Sequence, residues 1–443
     1  MKDANQKMNE IAVALDIGTT KICAIAGRLN EYGKIEVLGV GTVKSEGVSR
    51  GVVVNIDKTV RSIREAVEKA ERNAGCKFKV VHVGIAGQHI KSLHHHGLLT
   101  RDNSQDEISE NDVRKLIRDM HKLVLPPGVR ILHVIPQEFT VDNERDIIDP
   151  VGMAGIRLEA NFHIITGQIT ASRNIMKCVE KAGLDVADMT LEPIASSAAV
   201  LSDEEKEAGI VLVDIGGGTT DVTVFKDGII RHTGVVPFGG NVITKDIQAG
   251  CGVLMNQAEK LKVKFGSALA DEIYDNRIIT IPGINGREPS EISEKNLSRI
   301  IMARVEEIFD HVLFEIKRSG YEDKLLAGIV LTGGGSMLRH IELLSNYHTG
   351  MHTRIGKPIE HLAHGYTQQL ASPIYSTAVG LLKNSIENMD RVYVEMNEPQ
   401  SSKDNSLEEM TQRESQSEPQ SKWYNKIYAL TRDFFDPKPD SDF

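Results

Sequence analysis

The chain has 443 residues and a formal net charge of −10, from 62 acidic and 52 basic side chains. We expect no nucleic-acid partner, because duplex affinity depends mainly on Lys and Arg neutralising phosphates. No stretch approaches the ~18 apolar residues of a membrane-spanning helix, and the opening MKDANQKMNE does not resemble a secretory signal. The four cysteines are far apart with no CxxC pair, which favours a reducing cytosol over a disulfide or zinc framework.

The first predicted element is a β-hairpin in IAVALDIGTTKICAIAG (Ile11–Gly27). An apolar strand ends at Asp16, a Gly/Thr turn follows, and a second apolar strand begins. The pattern returns in GIVLVDIGGGTTDVTVFKDG (Gly209–Gly228), where Asp214 takes the place of Asp16. Each hairpin taken alone also fits an ordinary structural turn, since Gly and Thr are common in turns.

Residues 82–162 are predicted to form a compact α+β insertion between the two hairpins. The segment contains a strand (VVHVGIAG), a helix (ENDVRKLIRDMHKL) and a second strand (RILHVIPQEFTV). Its run of three histidines, His94–His96, suggests a metal site at first sight. Adjacent residues do not share a face and no acidic partner lies at helical spacing, so no metal site is predicted here.

A second internal echo relates EPIASSAAVL (Glu192–Leu201) to SPIYSTAVGLL (Ser372–Leu382). Both segments have Pro near the start and continue with small residues, which favours helices that pack closely against a neighbour. Two pairs of echoes in the same order along the chain indicate an internal duplication.

The paired Gly/Thr turns are suited to binding phosphate. Successive backbone N–H groups in such turns form an anion-binding concavity, and small residues let phosphate approach the main chain. Two facing turns would hold a polyphosphate from both sides, with Asp16 and Asp214 placed for a Mg²⁺ that keeps most of its waters. The sequence contains no GxxxxGK[ST], which excludes a P-loop.

Two further segments complete a predicted nucleotide site. IVLTGGGSMLRHI (Ile329–Ile341) is a strand, a triple glycine and a helical pattern, whose glycines could admit an adenosine or simply form a βα turn. AEKLKVKFGSA (Ala258–Ala268) places Glu259 and Lys262 on one helix face, a spacing that also fits a solvated surface pair.

Together these motifs resemble the actin-like ATPase superfamily and, within it, the FtsA family of bacterial cell-division proteins. The resemblance is carried by ALDIGTTKICAIAG, LEPIASSAAVL, VDIGGGTTDVTVF, PFGGNVITKDI, AEKLKVKFG and VLTGGGSML. It implies an α/β, two-lobed actin-like fold made of duplicated ribonuclease-H-like units, with an inserted small subdomain of the SHS2 type and a C-terminal amphipathic helix. It also implies ATP and Mg²⁺ as cofactors.

The resemblance implies a role for each matching residue. The implied nucleotide-binding residues are Asp16, Gly18, Thr19, Thr20, Lys21, Gly216, Gly217, Gly218, Thr219, Gly239, Gly240, Glu259, Lys262, Gly333, Gly334 and Gly335. A phosphate contact of Lys21 rests on proximity alone. Asp16 and Asp214 would hold Mg²⁺ through water, and Glu192 would position or activate an attacking water, with ATP hydrolysis itself left open.

The resemblance also implies a division of the chain into domains. Lobe 1 comprises 1–81 and 163–200, interrupted by the insertion at 82–162. Lobe 2 comprises 201–371 and includes a subdomain at 240–320, and a helix at 372–388 returns to lobe 1.

The helix around Asn296–Ser319 belongs, by resemblance, to the subdomain that receives the C-terminal tail of FtsZ. Arg304 and Glu307 are the candidate contacts, and an acidic tail would suit Arg304. A solvated charge pattern explains either residue nearly as well. The resemblance further implies self-assembly into actin-like filaments, and contacts of the insertion with later division proteins.

The C-terminal part differs sharply in composition from the rest. Residues 395–420 are mostly Ser, Glu, Gln and Asn, which predicts a disordered acidic linker. The following SKWYNKIYALTRDFFD (Ser421–Asp436) has an apolar stripe at ~100° per residue, which predicts an amphipathic helix in the plane of a membrane surface. Its expected membrane contacts are Trp423, Tyr424, Lys426, Ile427, Tyr428, Leu430, Phe434 and Phe435. Docking of this helix on the globular part or on a protein partner is the alternative.

The favoured interpretation is an ATP-binding actin-like protein that anchors FtsZ filaments to the cytoplasmic face of the inner membrane at the division septum. A PilM-like protein of pilus assembly shares the insertion but would not explain the linker and terminal helix. A metabolic kinase of the same superfamily would need an acceptor pocket with its own base, and the sequence shows no further motif for one.

Overall fold

The computed structural model describes most of the chain as two lobes and one inserted subdomain, each built on its own sheet. The described residues are 11–101, 107–283, 288–365 and 367–397. The predicted linker beyond residue 397 and the predicted membrane helix at 421–436 lie outside them. Buried apolar side chains form three clusters, centred on lobe 1, lobe 2 and the inserted subdomain.

The sheet of lobe 1 has five strands. They are β1 (Ala12–Ile17), β2 (Lys21–Leu29), β3 (Ile35–Lys44), β6 (Val80–Ile85) and β11 (Asp185–Leu191). The order is β11-β6-β1-β2-β3, with β1, β2 and β3 antiparallel and β1, β6 and β11 parallel. Every residue of β1 is buried, as expected for a central strand covered on both faces.

The sheet of lobe 2 repeats this plan. Its strands are β12 (Ile210–Ile215), β13 (Thr220–Lys226), β14 (Ile229–Val236), β17 (Gly328–Thr332) and β18 (Thr353–Ile355). The order is β14-β13-β12-β17-β18, with the same pattern of antiparallel and parallel neighbours as in lobe 1. The two hairpins echoed in the sequence are therefore equivalent elements, β1–β2 and β12–β13, of two copies of one topology.

The inserted subdomain is a four-stranded antiparallel sheet with one helix. Its strands are β7 (Lys91–Thr100), β8 (Val129–Val141), β9 (Glu144–Ile147) and β10 (Arg157–Gln168), in the order β7-β10-β8-β9. The helix Glu110–Met120 begins at a capping box between Ser109 and Asp112 and buries Leu116. The insertion was expected to begin at His82, but this residue lies inside β6, a strand of the lobe 1 sheet. It was expected to end at residue 162, but β10 continues to Gln168.

The remaining elements connect and extend the lobes. The longer helices are Ile56–Ala74, Ile169–Lys181, Glu192–Val200, Gly240–Cys251, Met255–Phe265, Glu294–Ser319, Ile341–Thr349 and Ser376–Asn397. The short elements are β4 (Val48–Ser49), β5 (Val52–Val53), β15 (Ile278–Ile281), β16 (Ser290–Ser293), the helices Asp203–Ala208 and Thr367–Leu370, and the 3-10 turns Glu322–Lys324, Gly334–Met337 and Pro373–Tyr375. Helix Ser376–Asn397 continues beyond the expected end of the return helix at residue 388.

The two helices of the second sequence echo pack against each other between the lobes. A Cβ atom on Gly380, in helix Ser376–Asn397, would overlap the carbonyl oxygen of Ala195 in helix Glu192–Val200. Glycine at this position therefore lets the two backbones approach closely. This contact is the close packing that the run of small residues predicts.

Two kinds of feature are absent from the described residues. Among them, no helix is long and apolar enough to cross a membrane. Over the same part of the chain, no group of three or more His, Cys, Asp or Glu side chains is arranged to hold a metal ion. In the histidine run on β7, His96 instead contacts Glu159 at 2.8 Å.

Candidate functional site

The two Gly/Thr hairpins line one cavity of about 550 Å³ between the lobes. The predicted residues on its wall are Asp16, Gly18, Thr19, Thr20, Lys21, Glu192, Asp214, Gly216, Gly217, Gly218, Thr219, Gly240, Glu259, Lys262, Gly333, Gly334 and Gly335. Gly239 is not on the wall and instead precedes the first residue of helix Gly240–Cys251. Folding thus brings residues from six separate motifs to one cleft.

The hairpin turns of the two lobes touch. A Cβ atom on Gly217 would overlap the side chain of Thr20, and one on Gly218 would lie 2.8 Å from Thr19 Oγ1. These two glycines are therefore needed for contact between the lobes as well as for any approach of a ligand. The hairpins meet in a closed arrangement, with the cavity beside their contact.

Four carboxylates lie in the cleft in addition to Glu259. Asp16 and Asp214 are the last but one residues of the equivalent strands β1 and β12. Asp221 lies opposite Asp214 in the β12–β13 register, and Glu192 begins helix Glu192–Val200. Burial, and then the charge of Asp214, raises the pKa of Asp221 to about 8. Burial, followed by the charge of Asp16, raises the pKa of Glu192 well above its ordinary value. A bound cation would relieve this crowding of negative charge.

Lys21 supplies positive charge inside the cleft. Its Nζ donates to Asp16 Oδ2 at 3.2 Å and lies 4.9 Å from the centre of the Tyr375 ring. Burial acts to lower the pKa of the Lys21 ammonium, but the Asp16 carboxylate outweighs it, and the pKa is raised. The structure thus places Lys21 beside the predicted phosphate turn, paired with Asp16.

Asp214 is held in place by the two echoed helices. Ser196 Oγ donates to Asp214 Oδ2 at 2.8 Å, and Thr377 Oγ1 contacts both Ser196 Oγ at 3.0 Å and Asp214 Oδ2 at 3.4 Å. Burial raises the pKa of Asp214, and the Ser196 hydrogen bond partly offsets this effect. The helices therefore orient one of the carboxylates predicted to hold Mg²⁺.

The triple glycine after β17 forms the adjoining wall. A Cβ atom on Gly333 would overlap Asp214 Oδ1, and one on Gly335 would overlap the Ile215 side chain. Gly333 also has a φ of 79°, which favours glycine. Gly334 differs, because nothing lies within 4 Å of the Cβ position and it faces open space in the cavity.

Glu259 and Lys262 interact with each other and with the start of helix Gly240–Cys251. Lys262 Nζ lies 2.8 Å from Glu259 Oε2 and donates to the carbonyl oxygen of Gly240 at 2.9 Å. Thr244 Oγ1 accepts from Lys262 Nζ at 2.8 Å and donates to Glu259 Oε2 at 2.5 Å. The pair thus lines the cavity, and its contacts fix the position of both side chains.

Several residues of the cleft were missed by sequence reasoning. They include Gly51, Asp221, Asn241, Arg339, Ile374, Tyr375 and Thr377 on the wall, and Ser196 behind Asp214. Asp221 had a usable signal, because a tight β12–β13 hairpin pairs it with Asp214. The others come together only through contacts between distant parts of the chain.

The candidate partner residues lie on helix Glu294–Ser319, away from the cleft wall. Arg304 donates to both carboxylate oxygens of Asp246, at 2.5 and 3.1 Å, and also to Glu307. Its side chain is 23% exposed. Two carboxylates of the same chain therefore already pair with the Arg304 guanidinium, and any partner would have to compete with them.

Two sequence models of known families match the chain. The family described as "Cell division protein FtsA" matches residues 211–380, and "SHS2 domain inserted in FTSA" matches residues 87–166. The second match covers the inserted subdomain and confirms its predicted type.

Curated relatives match most of the chain. A cell division protein FtsA from Pseudomonas aeruginosa is 41% identical over 385 residues, covering 87% of this chain and 91% of that protein. The FtsA proteins of Escherichia coli strain K12 and Bacillus subtilis are 35% and 36% identical, covering 84% and 86% of this chain and 90% and 84% of those proteins.

Solved structures confirm the predicted actin-like fold. A PilM–PilN type IV pilus biogenesis complex aligns with a TM-score of 0.61 and 16% identity, covering 85% of this chain and 98% of that chain. MreB5 of Spiroplasma citri bound to ADP aligns with a TM-score of 0.55 and 14% identity, covering 88% and 99%. The fold is thus shared with proteins of low sequence identity, whereas the FtsA proteins from Pseudomonas aeruginosa and Bacillus subtilis are 41% and 36% identical in sequence. The chain therefore belongs to the FtsA family of actin-like cell division proteins.

Proposed function

We propose that the cleft between the lobes binds ATP together with Mg²⁺. The observation that carries the proposal is that the two touching Gly/Thr hairpins line one cavity, with carboxylates at their bases. Turns of this kind present backbone N–H groups to phosphate oxygens. The MreB5 structures bound to ADP and to AMPPNP, which share the fold, support the proposal.

The phosphates would lie in the cavity beside the two hairpin turns, and the adenosine would lie at the other end of the cavity. Glu259 and Lys262 would flank the ribose and base, opposite the triple glycine. Gly334 supports this orientation, because its open side would allow close approach of the adenosine to the backbone.

The donor set of the cleft fits Mg²⁺. Asp16 and Asp214 would hold the ion through water, and Asp221 adds a buried carboxylate oxygen, Oδ1, that has no hydrogen-bond partner. Oxygen ligands from carboxylates and water are those Mg²⁺ prefers, and the ion would compensate phosphate charge when bound. Lys21 would add a cation beside the same phosphates.

We further propose that Glu192 positions an attacking water and that any ATP hydrolysis is slow. Glu192 lines the cavity at the start of a helix that lies between the lobes. Burial and the charge of Asp16 raise the pKa of Glu192, and a cation bound beside these carboxylates would counter that rise and favour the ionised form that accepts a proton.

The cellular role proposed here is self-assembly into actin-like filaments that anchor FtsZ filaments to the cytoplasmic face of the inner membrane at the septum. The terminal segment Trp423–Phe435 would lie in the membrane surface, after the linker that follows helix Ser376–Asn397. The C-terminal tail of FtsZ would bind near Arg304 and Glu307, competing with Asp246 for the guanidinium. The inserted subdomain would contact later division proteins.

Metal-dependent ATP binding tests the proposal. Calorimetric titration of the full chain should give clear ATP binding with Mg²⁺ and at least about tenfold weaker binding in EDTA. In the variant Asp214→Ala, ATP affinity should differ much less between Mg²⁺ and EDTA than in the wild type, because the variant lacks a proposed metal partner. Glu110→Gln, an exposed carboxylate of the inserted subdomain, is the matched control and should behave as the wild type. Absence of ATP binding by the wild-type chain in Mg²⁺ would refute the proposal.

A further inference from the structure

The inserted subdomain is part of lobe 1 along the chain, but it is hydrogen bonded to lobe 2. Ser92 Oγ, on β7, donates to the carbonyl oxygen of Thr233 at 3.0 Å. Gln137 Nε2, on β8, donates to the carbonyl oxygen of Ile230 at 2.9 Å. Both acceptors lie on β14, the edge strand of the lobe 2 sheet.

Charged and aromatic side chains extend this interface. Arg231 on β14 donates to Glu138 Oε1 at 2.7 Å, and the Arg231 side chain is only 3% exposed. His163 Nε2, on β10, lies 3.1 Å from Thr233 Oγ1, and His163 is fully buried. We call this set of contacts between the subdomain and β14 the β14 interface. A buried polar interface of this kind favours one arrangement of the subdomain against lobe 2, because moving the two apart would leave buried polar groups without hydrogen-bond partners.

A second set of contacts runs from the hairpins of the cleft to the subdomain through the β4–β5 hairpin of lobe 1. The β4–β5 hairpin has Arg50 and Gly51 at its tip, and the Gly51 N–H donates to Thr19 Oγ1 of the lobe 1 hairpin at 3.1 Å. A Cβ atom on Gly218, in the lobe 2 hairpin, would lie 2.9 Å from Arg50 Cα. The tip therefore touches the predicted phosphate turns of both lobes.

The other side of the tip touches the point where the chain leaves lobe 1 for the subdomain. A Cβ atom on Gly51 would lie 2.5 Å from Gly87 Cα, and one on Gly87 would lie 2.8 Å from the carbonyl oxygen of Arg50. Gly87 follows β6, and its φ of 124° is open to glycine alone. Arg50 and Gly51 also have positive φ, 49° and 74°. No side chain separates the tip from this junction.

We propose that occupancy of the cleft sets the position of the inserted subdomain, through the Arg50–Gly51 tip and the β14 interface. The inference rests on the proposed function, since the ligand is ATP with Mg²⁺. The subdomain is linked covalently to lobe 1 and by hydrogen bonds to lobe 2, so the β14 interface keeps its geometry only while the lobes stay closed. Because coupling between two sites is reciprocal, a partner bound to the subdomain would change ATP affinity in turn.

Hydrogen exchange on the wild-type full chain tests this directly. Amides of β14 and of the first half of β7 should exchange at least about threefold more slowly with ATP and Mg²⁺ than without, because closure stabilises the β14 interface. Calorimetry on the same samples reports whether ATP binds at all. No binding would refute the proposed function, whereas binding with unchanged exchange in β14 and β7 would refute only the coupling.

A double variant tests the reciprocal effect. Ser92→Ala combined with Glu138→Gln weakens the β14 interface without touching the cleft wall. We expect ATP affinity to fall by about fivefold or more, the lower end of typical coupling, because the closed state loses support. Glu110→Gln, in the same subdomain but outside the β14 interface, should leave ATP affinity unchanged. Equal ATP affinity for the folded double variant and the wild type would overturn the proposal.

Discussion

At the scale of single residues, His163 shows how the interface between subdomain and lobe 2 restricts protonation. Its ring lies 5.2 Å from that of His94 and 6.4 Å from that of His232. Burial, and then the charges of these two histidines, lowers the pKa of His163 to about 3. The side chain is therefore neutral in the folded protein throughout the physiological range.

This residue should make the folded protein less stable in acid. An unfolded histidine has a pKa of about 6.5, so below that pH the unfolded chain binds a proton that the folded chain does not. The contribution of neutral His163 to the free energy of unfolding is fully present above about pH 6.5 and is lost progressively as the pH falls toward 3. From pH 7.5 to pH 5 this amounts to about 2 kcal/mol in the free energy of unfolding.

Denaturant unfolding of the wild type and His163→Leu at both pH values measures the effect. The variant should lose less stability on acidification than the wild type, because it has no imidazole to protonate when unfolded. Identical losses in the two proteins would contradict a neutral buried His163.

The cleft residues show what could be predicted at this scale. Asp16 and Asp214 were found because each belongs to a local pattern of strand, Gly/Thr turn and strand, repeated in the chain. Ser196, Tyr375 and Thr377 belong to the second repeated segment, which predicts close helix packing but not a place beside the cleft, and that place depends on contacts between distant segments. Local sequence determines the turns, whereas tertiary packing determines which other side chains reach them.

At the scale of elements, the crossing of helices Glu192–Val200 and Ser376–Asn397 holds the two lobes and Asp214 together. Gly380→Ala places a methyl group where the Ala195 carbonyl oxygen lies. Because backbone must move to accommodate it, we expect a loss of about 3 kcal/mol in the free energy of unfolding.

Gly250→Ala is the matched control for this variant. Gly250 also lies in a helix, but its new methyl group would meet only the flexible end of Ile300, 2.8 Å away. Alanine favours a helix over glycine, so a change of less than about 1 kcal/mol is expected. Denaturant unfolding of both variants side by side decides the matter, and equal effects at the two positions would contradict the close crossing.

The element boundaries also show the limit of sequence reasoning. The strand VVHVGIAG was grouped with the insertion because the two are adjacent in the chain, yet β6 pairs with β1 in lobe 1. Strand pairing depends on partners far away in sequence, so composition alone could not assign β6 to its sheet. The duplication was found more easily, because both copies keep the same hairpin motif.

At the scale of the whole molecule, the proposed function requires the terminal segment to reach a membrane. The segment lies outside the described residues and stays a prediction. The chain has a single Trp, Trp423, so its fluorescence reports on that segment alone. With vesicles containing anionic lipid, the emission of the full chain should shift to the blue, because the indole enters an apolar interface.

Vesicle sedimentation provides the control for this prediction. Truncation after Gln420 should abolish sedimentation with vesicles while the globular part keeps its thermal unfolding midpoint. Binding of the truncated chain to vesicles at the level of the full chain would show that the membrane contact lies elsewhere.

The central claim is that ATP lies in the cleft against the open side of Gly334. Gly334→Leu fills that side without meeting another atom within 4 Å of its Cβ, so the fold should be unaffected. Calorimetric titration with ATP and Mg²⁺ should show binding at least about tenfold weaker than in the wild type, a loss of about 1.4 kcal/mol or more. An ATP affinity for folded Gly334→Leu within about twofold of the wild-type value would contradict the claim.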